Sequence, residues 1–430
     1  MIPGTIAFHH FGCKVNFAEA SSLSREFKEN GWVLTGFHEK ADVYVISTCI
    51  VTGIAEKKCR AAIRQAHKLN PRAQIAVIGC FPELKPEVLR KMDGVSLVLG
   101  HSGKFNLYRE LDDLTSKGDH KDRMIKEKTG KDPFISSYSQ GDRTRSFVKI
   151  QDGCDYFCSY CTIPLARGES RSDSVAHVLQ TVGKVAANGV KEVVLTGVNI
   201  GDFGAGQGET FLQLLMALDD QKAVPRIRIS SVEPDLLSDP VIDLVANSKI
   251  FQPHFHIPLQ SGCNKILKAM HRRYDRELYH DRVKRIRLLL PMACIATDVI
   301  AGSPGESEED FLDTFRFLET LPVSYMHVFT YSKRENTLAS TSPGQIADLV
   351  KKDRSDRLHA LSAHKKNSFY NENRGKDAFV LWESDNITGY MLGFTENYIR
   401  VKTLFQPEWV NQIMMIRLGR IDSDGCYLIK

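Results

Sequence analysis

Gln151-Asp152-Gly153-Cys154-Asp155-Tyr156-Phe157-Cys158-Ser159-Tyr160-Cys161 places three thiols within eight residues, at C-x3-C-x2-C spacing. Thiolates are the soft ligands that iron–sulfur clusters require. A 4Fe–4S cube held by three cysteines leaves one iron open to a small molecule, and an open iron is reactive. Zinc would want a fourth ligand in a tetrahedral site, and no His or Cys follows within the next fifteen residues. Inert core cysteines rarely cluster this tightly. The run therefore reads as the ligand set of a cluster with one exchangeable position.

The loop follows a candidate strand, Ser146–Ile150. Similar apolar runs recur at Glu192–Thr196, Arg226–Ser231, His254–Leu259, Ile295–Ile300 and Met326–Tyr331. Most end in polar residues or Gly and precede helical patterns. Six such units predict a partial (β/α) barrel over 143–374, with its chemistry at the strand C-termini.

Upstream, residues 1–110 read as an open α/β domain. Thr5–Phe11, Asp42–Ser47 and Gln74–Ile78 have the composition of buried strands, and Ala18–Asn30 and Ala55–Leu69 of helices. Each strand runs at once into a cysteine: Cys13, Cys49 and Cys80. In a parallel sheet the strand ends share one edge, where ligands bind. Three thiols at equivalent ends predict a second three-thiolate cluster.

Residues 111–142 turn charged, with Gly118, Gly130 and Gly141, and read as a linker with room for a short hairpin. Residues 375–430 alternate in Phe379–Glu383, Tyr398–Lys402 and Gln412–Arg417, predicting a small antiparallel β-barrel. Two roles stand for it: an RNA-binding module or a structural lid. Its six Lys/Arg against seven Asp/Glu do not favour RNA.

The whole chain has 430 residues, 42% hydrophobic and 25% charged, which fits about three domains of ordinary globular composition. Its start lacks a signal-peptide pattern, and its longest apolar run, near Leu288–Ala296, is broken by Pro291. The expectation is a cytoplasmic protein without a membrane span, whose ten cysteines are ligands or thiols rather than disulfides. The net charge of +5 is mild, but nine Lys/Arg face three Asp/Glu between Lys265 and Arg287, and seven face three between Lys351 and Arg374. Such stretches are either solvated helix faces or phosphate-tracking surfaces.

Over nearly its whole length the chain resembles the radical-SAM methylthiotransferases. The matching stretches are Gly12-Cys13-Lys14-Val15-Asn16, Thr48-Cys49, Gly79-Cys80, Phe147–Ser172, Leu195–Gly201, Arg228–Pro234, His256–Gly262 and Asp298–Gly302. Ser47, Glu83, Ser303 and Glu335-Asn336 depart from the family pattern, and none of them is a cluster ligand. The resemblance implies two 4Fe–4S clusters, one on Cys154, Cys158 and Cys161 that binds S-adenosylmethionine, and a sulfur-carrying one on Cys13, Cys49 and Cys80. It also implies a C-terminal barrel of the kind called TRAM, and a low-potential electron donor as partner.

Family branches modify threonylcarbamoyladenosine in tRNA, isopentenyladenosine in tRNA, or a ribosomal-protein aspartate. Gly12–Asn16 and His327–Arg334 most resemble the first, which implies a tRNA anticodon stem-loop as substrate and C2 of its modified adenine as target. A splayed loop base enters a pocket at small unpairing cost. A non-enzymatic iron–sulfur regulator that binds RNA is the alternative of another class.

Expected cofactor contacts are Tyr160 in the cluster loop and, at barrel strand ends, Thr196, Gly197, Asn199, Ser231, Glu233 and Gln260. Gly197 permits close backbone approach. For Ser231 and Gln260, ordinary strand-end hydrogen bonding is an equal reading. Arg167 and Arg171 are suited either to a carboxylate or phosphate or to a helix surface. Cys59, Cys263, Cys294 and Cys426 read as thiols outside the clusters. His9 and His10 have no ligand spacing, and Trp32 and Trp382 read as core.

Overall fold

The computed structural model describes residues 3–50, 53–117, 133–141 and 143–429. They form two units. The first is Met1–Gln140 with Phe147–Tyr156 and Cys161–Ser172; the second is Gly141–Ser146, Phe157–Tyr160 and Asp173–Lys430.

The first unit is built on a parallel sheet ordered β2-β1-β3-β4-β5, with β1 Thr5–His10, β2 Val33–Thr35, β3 Val43–Thr48, β4 Gln74–Gly79 and β5 Val95–Leu99. The central strand β3 is buried along its length, so it reads as a continuous apolar run rather than an alternation. Helix α1, Lys14–Glu29, starts four residues before the expected Ala18, because extended Cys13 caps it and its first turn carries polar Lys14 and Asn16. Helix α2 covers Gly53–Leu69.

The expected linker opens inside a helix, Leu107–Lys117. Leu107, Leu111 and Leu114 recur at helical spacing and pack with Ile6, Phe27 and Leu97, which is why that charged segment folds onto the sheet. Gly118 and Gly130 lie outside the described residues. The linker supplies one arm of a hairpin rather than a whole one: Ser137 and Tyr138 pair antiparallel with Lys149 and Val148 of the first expected barrel strand.

In the second unit the strands Glu192–Thr196, Arg226–Ile229, His254–His256, Cys294–Ala301 and Tyr325–Thr330 run parallel, linked by ladders and by the bridges Ile227–Phe251 and Ser231–His256. The third strand is regular only over His254–His256, short of the expected Leu259, although Ile257 N and Leu259 N still donate to the carbonyls of Ala296 and Asp298. Helix Asp348–Asn373 then leads into a six-stranded sheet. Its pairs are antiparallel except that Arg400–Leu404 lies parallel to Tyr427–Leu428. Val380, Trp382, Met391, Val401 and Tyr427 form its core with Phe369 and Tyr370 of the long helix.

Buried arginines join barrel strand to sheet within this unit. Arg228 donates to the carbonyls of Thr395 and Glu396, and Arg226 to those of Phe379 and Phe394, while Glu192 lies against both. Among the described residues, no helix is long and apolar enough to cross a membrane.

Candidate active site

Cys13, Cys49 and Cys80 follow three adjacent strands, β1, β3 and β4, at one edge of the sheet. Close backbone approach brings their loops together. Gly12 has φ +109°, and a Cβ there would lie 2.6 Å from Cys49 Cβ; Gly79, at φ +105°, would meet Thr48 O at 2.8 Å. Asn16 stitches the first two loops, donating from Nδ2 to Phe11 O at 3.2 Å and to Thr48 O at 2.9 Å. Thr48 Oγ1 reaches the third, accepting from Phe81 N at 3.3 Å. Burial pushes the Cys80 thiol up, while Arg167 and Lys104 pull it down. Three cysteines on adjoining strand-end loops, with cations near Cys80, suit an anionic iron–sulfur cluster.

In the C-x3-C-x2-C loop, Cys154 Sγ accepts from Tyr156 N and Cys161 Sγ from Ile163 N, both at 3.4 Å. Amide donors of this kind stabilise thiolate ligands. Cys158, buried, belongs to the second unit, where burial raises its thiol and Arg272 opposes that shift. Arg272 Nη1 donates to Cys158 Sγ at 3.1 Å and to the Tyr160 hydroxyl at 3.4 Å, Nε donates to the Tyr274 hydroxyl at 3.1 Å, and Nη2 pairs with Glu233. Burial lifts the Glu233 carboxyl to about 7 against the pull of Arg272. The basic count over Lys265–Arg287 hid Arg272 among surface charges; in the fold it follows a left-handed His271, φ +57°.

Strand ends carry the remaining expected contacts. Thr196 closes its strand and is buried, Gly197 follows it, and buried Asn199 precedes the single turn Ile200–Asp202. Gln260 has φ +66° and bridges to the Asp298 carbonyl and Ile300 N through its backbone. Ser231 Oγ lies 2.7 Å from His256 Nδ1, and His256 Nε2 lies 2.8 Å from Asp298 Oδ1. A carboxylate only accepts, so in the neutral ring Nε2 carries the proton and Nδ1 accepts the serine hydroxyl. His327 brings a third ligand-type atom beside His256 and Asp298. The strand-end bonding read for Ser231 and Gln260 is thus present, and the His256–Asp298 pair is an addition that no spacing announced.

Arg167 and Arg171 are not helix-surface charges. Arg167 is 1% exposed and holds carboxylates of the chain itself, Asp152 and Glu19; Arg171 approaches Asp152 and His101. Cys59 and Cys294 are buried thiols lifted to about 12 by burial, Cys426 is buried, and Cys263 faces Asp310. His9 stacks on Phe37, and Trp32 and Trp382 are core.

The basic stretches are largely spent on internal pairs. Lys265 meets Asp310, Arg276 Asp313, Arg282 Asp239 and Arg285 Asp243, and Arg287 donates to the carbonyls of Pro291 and Pro322. On the second stretch, Arg354 pairs with Glu306 and Arg357 with Glu308. These pairs reduce the surplus that suggested phosphate tracking.

Two family models match: an uncharacterized protein family, UPF0004, over residues 5–100, and the radical SAM superfamily over residues 148–318. A threonylcarbamoyladenosine tRNA methylthiotransferase, MtaB, of Aquifex aeolicus is 37% identical over 92% of this chain and 96% of its own length. The protein of that name from Bacillus subtilis is 35% identical over 96% and 93%. A tRNA-2-methylthio-N(6)-dimethylallyladenosine synthase of Clostridium perfringens is 32% identical over 95% and 94%. Among solved structures, the radical S-adenosylmethionine methyltransferase TsrM of Kitasatospora setae superposes with a TM-score of 0.57 at 12% identity, covering 79% of this chain and 77% of its own, which shows a shared fold.

Proposed function

The chain belongs to the radical-SAM methylthiotransferase family, and from that premise we propose that it adds a methylthio group to C2 of N6-threonylcarbamoyladenosine next to the anticodon of tRNA. The observation that carries this reading is the placement of Cys13, Cys49 and Cys80 on adjoining loops at one sheet edge, in a chain that also bears the Cys154, Cys158 and Cys161 loop. When bound, two 4Fe–4S clusters and S-adenosylmethionine supply the one-electron chemistry and the sulfur that no side chain provides.

An aromatic C–H has no acidic proton, so the residues here do not act on the target as acids or bases. Their work is to hold. Cys154, Cys158 and Cys161 hold one cluster with an iron left open, and Arg272 fixes the Cys158 sulfur and the Tyr160 ring. Thr196, Gly197, Asn199, Ser231, Glu233 and Gln260 contribute contacts for the methionyl cofactor. Cys13, Cys49 and Cys80 hold the sulfur-carrying cluster. A low-potential donor delivers electrons, and the working compartment is the cytoplasm.

The substrate choice rests on Gly12–Asn16 and His327–Arg334 together with the two relatives of that name. A pocket built to bind the threonylcarbamoyl carboxylate leaves polar groups unpaired with an isopentenyl group, and so rejects it strongly. Purified, reconstituted enzyme offered both modified tRNAs under anaerobic, reducing conditions should methylthiolate the threonylcarbamoyl substrate, read by mass spectrometry of nucleosides. Product on the isopentenyl tRNA alone, or on a ribosomal protein, would overturn the assignment.

A further inference from the structure

Glu19, Lys104, Lys149, Asp152 and Arg167 are each no more than 2% exposed and meet in one cluster of the first unit. Stability alone does not explain five such charges. Desolvating each ion costs several kcal/mol, and apolar residues of like volume often do as well. Their positions supply a reason. Asp152 stands two residues before Cys154, and Arg167 six after Cys161; Asn16 and Glu19 stand three and six after Cys13. Arg167 Nη1 donates to Asp152 Oδ1 at 2.8 Å, and Nη2 donates to Glu19 Oε2 at 3.1 Å and to Asn16 Oδ1. Asn16 in turn holds the carbonyls of Phe11 and Thr48, beside Cys13 and Cys49. One guanidinium ties a segment carrying one cysteine set to the loops carrying the other.

The charges around it do not cancel. Lys104, Lys149, Arg167 and Arg171 face the carboxylates of Glu19 and Asp152, a surplus of two positive charges. His101 adds none near neutrality, since burial and Lys104 depress it to about 4. The electrostatic reach of Arg167 extends to Cys80 and Cys13.

We infer that Arg167 is a positioning residue shared by both cysteine sets, and that the surplus charge around it is the fixed counter-charge of the cluster on Cys13, Cys49 and Cys80. The inference rests on the two-cluster reading. Reduction adds a negative charge to an already anionic cluster, and its potential follows nearby charge.

The test uses the full chain with Cys154, Cys158 and Cys161 changed to Ala, reconstituted anaerobically, with the remaining cluster titrated by electron paramagnetic resonance. Arg167→Gln, and separately Lys104→Gln, should lower its reduced fraction at a fixed poise about tenfold, equivalent to about 59 mV for one electron. Arg167→Lys keeps the charge and should restore the potential. It cannot bridge both carboxylates, however, and in the chain with all its cysteines it should lower iron retention at both sets without abolishing it. Should Arg167→Gln not fold, Lys104→Gln and Arg171→Gln carry the same charge test. Unchanged potentials in variants that retain their cluster would overturn the inference while leaving two clusters standing. A parent chain that binds only about four iron would instead overturn the two-cluster reading, and the inference with it.

Discussion

Arg272 shows how much one side chain decides at the residue scale. Its guanidinium touches Cys158, Tyr160 and Tyr274 and neutralises a Glu233 that burial holds near pKa 7. Side chains that hydrogen-bond to metal ligands are commonly worth 10–100-fold in activity. Arg272→Gln should therefore slow formation of 5′-deoxyadenosine by about 10–100-fold, with Arg272→Lys between it and the parent. Glu233 yields a pH prediction of definite sign. Its folded pKa lies above the ordinary carboxylate value, so the folded chain keeps a proton that the unfolded chain loses. Stability carried by that protonated carboxyl is full below about pH 4.5 and declines as pH rises through about 7. Glu233→Gln should flatten that decline in denaturant titrations of the cluster-free chain. An unchanged slope would show that Arg272 already keeps Glu233 ionised.

At the scale of the element, the helix Glu308–Thr320 depends on a reciprocal cap. Ser307 Oγ accepts from Asp310 N at 3.1 Å, and Asp310 Oδ2 accepts from Ser307 N at 2.9 Å and from Lys265 Nζ at 2.7 Å. Ser307→Ala should cost about 1 kcal/mol in chemical denaturation. Burial pushes the Asp310 carboxyl up, but the bonds from Lys265 and Ser307 win and hold it at about 2. Its contribution is then full above about pH 3.8 and lost as pH falls through about 2. Asp310→Asn should remove that acid-side loss. The same element explains why the basic run Lys265–Arg287 misleads a reader of sequence. The partners of its cations, Asp239, Asp243, Asp310 and Asp313, sit on other helices and are invisible to a local charge count.

On the scale of the whole molecule, two cysteine sets imply two independent cubes. Reconstituted chain should bind about eight iron and eight sulfide, and the triple Ala variant at Cys154, Cys158 and Cys161 about half. The triple variant at Cys13, Cys49 and Cys80 should still cleave S-adenosylmethionine and form no methylthiolated product. Loss of all iron from either variant would mean that the sets are not independent.

Local signals determined a good deal. The strand-end placement of Cys13, Cys49 and Cys80 was legible, since Cys49 and Cys80 directly follow β3 and β4 and Cys13 comes three residues after β1, and the spacing of Cys154, Cys158 and Cys161 is a local pattern that needs no fold to be seen. The short strands Val33–Thr35 and Val95–Leu99 and the helix from Leu107 were not legible, being brief or charged segments whose few apolar residues matter only once a sheet lies beneath them. The charged residues were the least legible of all. Arg167 reads alike as a surface or a ligand-binding arginine, and only the fold brings Glu19, 148 residues away, within hydrogen-bonding distance and shuts out water. A periodic pattern reports burial along one element. The partner of a charge is set by which elements the chain packs side by side, and that was decided by the tertiary structure alone.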